Sequence, residues 1–297
     1  YVAHIFLFTI FMAEIAYVAA SFSNPLFAEE MNILGFLKQP DVTIFQALLL
    51  KFKPVNMDVL PLYIVLLLLF PPVLRVLLWQ PAYALAGAAI MYVVAIRFDV
   101  NLPAYPNGVW LFNPFAWQLL FVFGAWCAIG GAQRLNGLLR SPIVLALAIA
   151  YLLFAFAITL TWHFESLQAF VPNWLSELIY PIDKTNLDVL RFAHFLALAA
   201  ITVRFVPRDW SGLKWPLLQP AILCGQHSLE IFCLGVFLAF AGQFVISEWS
   251  GGPLVQTAIS IAGILIMIAT ASLISWYKTI EGRANQQRAT ASPGGAT

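Results

Sequence analysis

In the stretch TNLDVLRFAHFLALA, Asp188, Arg191 and His194 recur every third residue. A carboxylate, a guanidinium and an imidazole at that spacing form a slowly turning stripe on one helix. An imidazole beside an ion pair suits general acid–base chemistry. The plainer alternative is a self-contained Asp188–Arg191 pair, with His194 donating to a backbone carbonyl. At a rise of about 1.5 Å per residue, His194 lies roughly 12 Å along the helix from Asn186. Ionisable groups that deep in an apolar helix face a cavity or a partner.

Other polar groups interrupt apolar runs in the same way. In CGQHSLEIFCLG, Gln226 and Glu230 are four apart and His227 and Glu230 three apart, so the three can converge near mid-membrane. Such a cluster serves either acid–base chemistry or a polar clamp between helices. Glu14 stands inside FMAEIAYVAA, where a carboxylate must be protonated or paired. Arg191 is one possible partner. Gln118 lies one turn inside FNPFAWQLLFVFGAW, a helix start marked by Asn113 and Pro114. The motif Asn-x-Asp-Val-Leu occurs twice, at Asn56–Leu60 and Asn186–Leu190. In each copy the Asn is expected to cap a helix and the Asp to sit in its first turn. Both copies are also candidates to border one polar mouth.

The elements that must hold these residues follow from composition. The chain has 297 residues, 62% of them hydrophobic and 10% charged, with a mean hydropathy of +0.86. A soluble chain carries roughly 25% charged residues. Runs of about 20 apolar residues mark membrane-spanning helices, and eight spans are expected, near 2–20, 57–79, 81–97, 114–133, 141–162, 186–206, 221–246 and 253–277. The fold class is all-α, a polytopic membrane bundle with one embedded domain over 1–280. A polar, disordered tail is expected over 281–297. Residues 41–53 read as an interfacial or re-entrant helix.

Nine of the 15 Lys and Arg fall on the side holding Arg75, Arg134, Arg140, Arg204, Arg208, Lys214, Lys278, Arg283 and Arg288. The positive-inside rule makes that side cytoplasmic. It places Tyr1 and the C-terminus there and the two Asn-x-Asp motifs outside. Several of those cations could instead hold the phosphates of a cytoplasmic donor. Trp110, Trp117, Trp162 and Trp174 read as interface anchors. Cys127, Cys224 and Cys233 lie in apolar stretches and read as buried thiols. No metal site, Gly-rich phosphate loop, HExxH or GxSxG motif is present. The chain opens on Tyr1 within an apolar run and lacks the features of a signal peptide, so it reads as a piece that begins after a missing start.

Four segments, PVNMDVLPLY, FNPFAWQLLFVFGAW, TNLDVLRFAHFLALA and CGQHSLEIFCLG, together resemble the OpgC family, inner-membrane succinyltransferases of osmoregulated periplasmic glucans. The resemblance extends over nearly the whole chain before the tail. Within the wider acyltransferase 3 group, a late helix carries G-x-x-S-L-x-I-aromatic, matched here by Gly225, Ser228, Leu229, Ile231 and Phe232. A His that often follows is replaced by Gly235. The resemblance implies transfer of a succinyl group from succinyl-CoA, with no bound cofactor, to a glucan hydroxyl at a multi-pass site in the bacterial inner membrane. It also implies about two helices before Tyr1, with the group's proposed catalytic His in the first. Beside it, His194, Arg191, Asp188, Glu230 and His227 are supporting catalytic candidates. Asn56, Asp58, Asn186, Gln118 and Glu14 are candidates for substrate binding. A transporter or flippase without chemistry is the alternative, supported by the repeated motif.

The functional reading of the repeat expects Asp58→Asn and Asp188→Asn to lower glucan acylation at unchanged protein level. Mass spectrometry of periplasmic glucans reads this out. Unaltered acylation in both variants would reduce the motif to helix starts.

Overall fold

The computed structural model describes residues 1–21, 34–168, 171–207, 209–248 and 251–290. Glu29, Glu30, Arg208 and residues 291–297 lie outside them. The sequence reads as one embedded domain over 1–280; the structure groups the chain into two compact units, 1–208 and 209–297. Each is described by itself.

The first unit contains α1 (Val2–Ser21), α2 (Pro40–Leu48), α3 (Val59–Trp79), α4 (Pro81–Arg97), α5 (Pro114–Trp126), α6 (Pro142–Thr161) and α7 (Val189–Phe205). The second contains α8 (Gln219–Gln226), α9 (Ser228–Glu248) and α10 (Pro253–Thr290). Proline opens α2, α4, α5, α6 and α10. It fits there because the first-turn N–H has no intrahelical partner to lose. No strand occurs among the described residues; one isolated bridge joins Pro103 and Val109.

The all-α membrane class holds, but among the described residues five helices rather than eight are long and apolar enough to cross a bilayer: α3, Pro114–Arg134, α6, α9 and Pro253–Glu281. α4 is a shorter apolar helix, as is the stretch Val2–Val18 within α1. Length also sets α7 apart. α7 has 17 residues, about 26 Å against a hydrocarbon core of about 30 Å, and it carries Arg191 and Arg204. The expected span 221–246 is broken at His227, whose φ of −111° and ψ of 40° leave the helical range. The helix expected over 41–53 stops at Leu48, and Leu50 turns left-handed at φ +61°. α10 stays helical nine residues beyond Glu281, where the polar tail was expected to begin.

α4 packs on α5 and α3, and α6 on α7. Leu77, Ala84, Ala88 and Val122 form a buried cluster at the first of these contacts. Small residues one turn apart on α4 let its neighbour approach. Gln118 clamps the pair, its Nε2 donating to Ala88 O at 2.7 Å. At the end of α5 the chain widens into a π turn over Cys127–Gly131, with Gly130 at φ +111°. A Cβ on Gly131 would lie 2.3 Å from the Trp126 ring, so the turn closes only on glycine.

Three loops meet at one end of the unit, and Asn113 ties them. Its side chain is fully buried. Oδ1 accepts from Phe115 N at 3.0 Å, the expected cap of α5. Nδ2 donates to Val100 O and to Asn186 Oδ1, each at 2.7 Å. The backbone N–H donates to Thr185 O at 3.0 Å. Trp117 adds an indole bond to Thr185 O at 3.0 Å, and Tyr92 a hydroxyl bond to Leu187 O at 2.9 Å.

The same end also receives Tyr1. Its hydroxyl donates to Leu48 O at 2.7 Å, and Phe8 meets Phe52 edge-on at 6.3 Å. This corrects the alternation that set Tyr1 opposite the first Asn-x-Asp motif. The buried side chains of α1, from His4 through Leu7, Phe8, Phe11 and Ile15 to Val18, keep helical spacing and give it one packed face.

Asn113→Ala should lower stability by about 2–4 kcal/mol, since it leaves buried groups on two loops unsatisfied. The unfolding midpoint of the detergent-solubilised protein measures this. Asn113→Asp should recover only the part due to the cap.

Candidate functional site

The two Asn-x-Asp-Val-Leu copies fold differently. In the second, Asp188 is the N-cap of α7, its Oδ1 accepting from Leu190 N at 2.7 Å. Asn186 is not the cap. It accepts from Asn113, and its Nδ2 donates to Asp183 Oδ2 at 2.7 Å. Asp183 also accepts from Thr185 N at 2.8 Å and Asn186 N at 3.2 Å. The left-handed residue of this turn is Leu187, at φ +52°.

In the first copy the left-handed residue is Asn56, at φ +70°, a region asparagine tolerates. A cap needs extended backbone, so Asn56 cannot serve as expected. Asp58 takes the N-cap position of α3 without a side-chain cap bond. Its Oδ1 faces Lys53 Nζ at 3.9 Å; the lysine is buried and the aspartate partly so. Lys53 also lies over the Trp110 ring, 3.8 Å from its centroid, a cation–π contact. Trp110 is thus buried beneath a lysine and is no interface anchor. Burial pushes the Lys53 ammonium down to about 8, with Asp58 acting the other way. Burial likewise raises the Asp58 carboxyl, and Lys53 partly offsets that.

The stripe on α7 is brought together in part. Arg191 and His194 line a cavity of about 290 Å³ with Tyr151, Phe154, Ile158 and Trp162 of the α6 side and Ile179 and Ile182 of the following loop. The Tyr151 and His194 rings meet edge-on at 6.2 Å. Asp188 does not line it, and no Asp188–Arg191 ion pair forms, because the carboxylate is held by Leu190 N and by Asp183 N at 3.4 Å. Among the described residues, Lys53 pairs with Asp58 and Lys278 with Glu230. The anticipated Glu14–Arg191 partnership is therefore not made. Glu14 keeps one buried carboxylate oxygen without a hydrogen-bond partner among the described residues. Gln118 is committed to Ala88 O and Phe115 O. It borders a separate, apolar cavity of about 430 Å³ between α3, α4 and α5.

In the second unit, Glu230 lies in the first turn of α9 and not at mid-membrane, since the break at His227 starts a new helix. Gln226 belongs to α8. The residue that completes the cluster is Lys278 of α10, with Nζ 3.3 Å from His227 Nδ1 and 3.5 Å from Glu230 Oε1. In the sequence Lys278 reads only as a flanking cation; its place after the last apolar run is the sole signal. An ammonium donating to Nδ1 requires that nitrogen to be unprotonated, which puts the ring proton on Nε2. Of the cations proposed for phosphate, Arg204 donates to Leu139 O at 3.0 Å.

The OpgC protein family matches residues 1–279. The chain belongs to the OpgC family. No curated protein and no solved structure matches it. Membership agrees with a multi-pass membrane protein and implies a transferase role. The segment from Gly225 to Phe232 is not one helix: Gly225 lies on α8, Ser228 opens α9, and the break at His227 falls between them.

The depressed value of Lys53 has a consequence for stability. Between pH 8 and 10.5 the unfolded chain holds a proton that the folded chain has shed. The contribution of this group to stability therefore rises with pH across that window. Unfolding midpoints taken at pH 8 and pH 10 should increase by this term, and Lys53→Met should remove the rise.

Proposed function

We propose that the chain is part of a membrane O-acyltransferase that moves succinyl groups from succinyl-CoA to hydroxyls of periplasmic glucan in the bacterial inner membrane. The observation that carries this reading is the pairing of Arg191 and His194 on one cavity between α6 and α7, in a chain of the OpgC family. His194 lies six residues from the Asp188 cap, about 9 Å along the helix. Its side chain makes no hydrogen bond among the described residues. In this reading His194 takes a hydroxyl proton as the sugar oxygen attacks the thioester carbonyl. The C–O bond forms, the C–S bond breaks, and the thiolate leaves with that proton.

The transporter reading leaned on a repeated motif. Its two copies differ in which residue is left-handed and in whether Asp caps, so they are not two copies of one structural unit. The larger cavity, between α3, α4 and α5, is walled almost wholly by apolar side chains and offers a sugar few hydrogen-bond partners.

The test is complementation of a deletion strain with the full-length protein and its His194→Ala variant, read by mass spectrometry of periplasmic glucans. Full-length protein should restore succinyl substituents. His194→Ala should cut the initial rate of transfer in membranes by about 100-fold at equal protein level. Glucans that keep their substituents in the deletion strain would overturn the assignment.

A further inference from the structure

The polar groups around the α6–α7 cavity are not equivalent. Tyr151 Oη donates to Leu190 O at 2.7 Å, and Thr159 Oγ1 to Ala155 O at 2.9 Å. The Trp162 indole donates to the Tyr180 hydroxyl. That leaves Arg191 and His194 as the lining residues whose side chains make no hydrogen bond or ion pair among the described residues. No carboxylate lines the cavity. The nearest in sequence, Asp183 and Asp188, are tied into the loop by four backbone N–H groups and the Asn186 amide. The remaining wall is apolar, with Phe154, Ile158, Ile179 and Ile182. A guanidinium without a counter-charge, at the edge of an apolar slot, is a receptor for a planar anion.

We propose that Arg191 is a specificity-determining residue that reads a carboxylate at the far end of the transferred acyl group. This rests on the acyl-transfer reading above. The carbonyl carbon of a short dicarboxylic thioester would lie on the His194 side, and its free carboxylate would take the two parallel N–H bonds that guanidinium offers. Arg191 and His194 are three residues apart on α7, about 4.5 Å along the axis, so both side chains line the same cavity. Arg191 is exposed at the cavity edge, so a neutral acyl group forgoes the paired N–H bonds that a carboxylate would take, and sites built for a charged group reject analogues lacking it.

The experiment uses the full-length protein in membranes with a purified glucan acceptor and two donors, succinyl-CoA and the thioester of monomethyl succinate. The wild type should use the charged donor at least 30-fold better in kcat/KM. Arg191→Met should reduce that preference to within about threefold, chiefly by loss of the charged donor, and Arg191→Lys should fall between. The preference is a ratio of two donors within one protein, so it does not depend on what fraction of the Arg191→Met protein folds. Equal use of both donors by the wild type would overturn the inference even if no variant folds. A charged-donor preference that survives in Arg191→Met would overturn it too. If the wild type transfers neither group, the acyltransferase reading itself fails, a result distinct from transfer without discrimination.

Discussion

The buried amide of Asn113 is the constraint on which the rest of the first unit depends. One oxygen and two N–H donors reach three separate segments: the first turn of α5, the carbonyl of Val100 and the amide of Asn186. A buried amide is stable only with its bonds made, so each segment is held where the other two permit. Fixing Asn186 fixes the turn from Asp183, and that turn sets Asp188 as the cap of α7. The orientation of α7 then decides that Arg191 and His194 face α6.

Acids and bases close in sequence thus have different fates. Around α7 the carboxylates are absorbed by backbone N–H groups, and the cation that follows them is left to face a cavity. Around α3 the carboxylate of Asp58 meets Lys53 in a buried site, under the ring of Trp110. Desolvation there opposes charge on both partners, so this pair is weak evidence for stability. Its effect is to hold the loop of Lys51–Asp58 against the connection that carries Trp110, which the Tyr105 N–H to Lys51 O bond of 3.0 Å also joins.

The helical membrane class was legible in the apolar runs, and Asn113–Pro114 marked the start of α5 because a cap and a first-turn proline are local signals. Arg191 and His194 were legible as a pair for the same reason: a spacing of three survives in any helix. What was hidden is what depends on partners far away. Asn186 looks like a cap until Asn113, 73 residues earlier, claims its oxygen. Glu230 looks like a partner of Gln226 until the helix breaks at His227. Lys278 looks like a topological flank until it meets both. Asn56 and Asn186 share a motif, yet a left-handed residue falls on Asn56 in one and on Leu187 in the other, and no short pattern encodes that choice.

Most bonds that gather this end of the unit run to main-chain oxygens: Val100, Thr185 and Leu187 each supply a carbonyl. A carbonyl is the same whatever side chain its residue bears. The architecture therefore makes no hydrogen-bonding demand on the side chains of Val100 and Thr185, whereas Leu187, buried and left-handed, must keep its own, as must Asn113, Trp117 and Tyr92. Over evolutionary time the rim of the unit is free to change its chemical face, and with it the molecules it meets, without renegotiating the frame beneath.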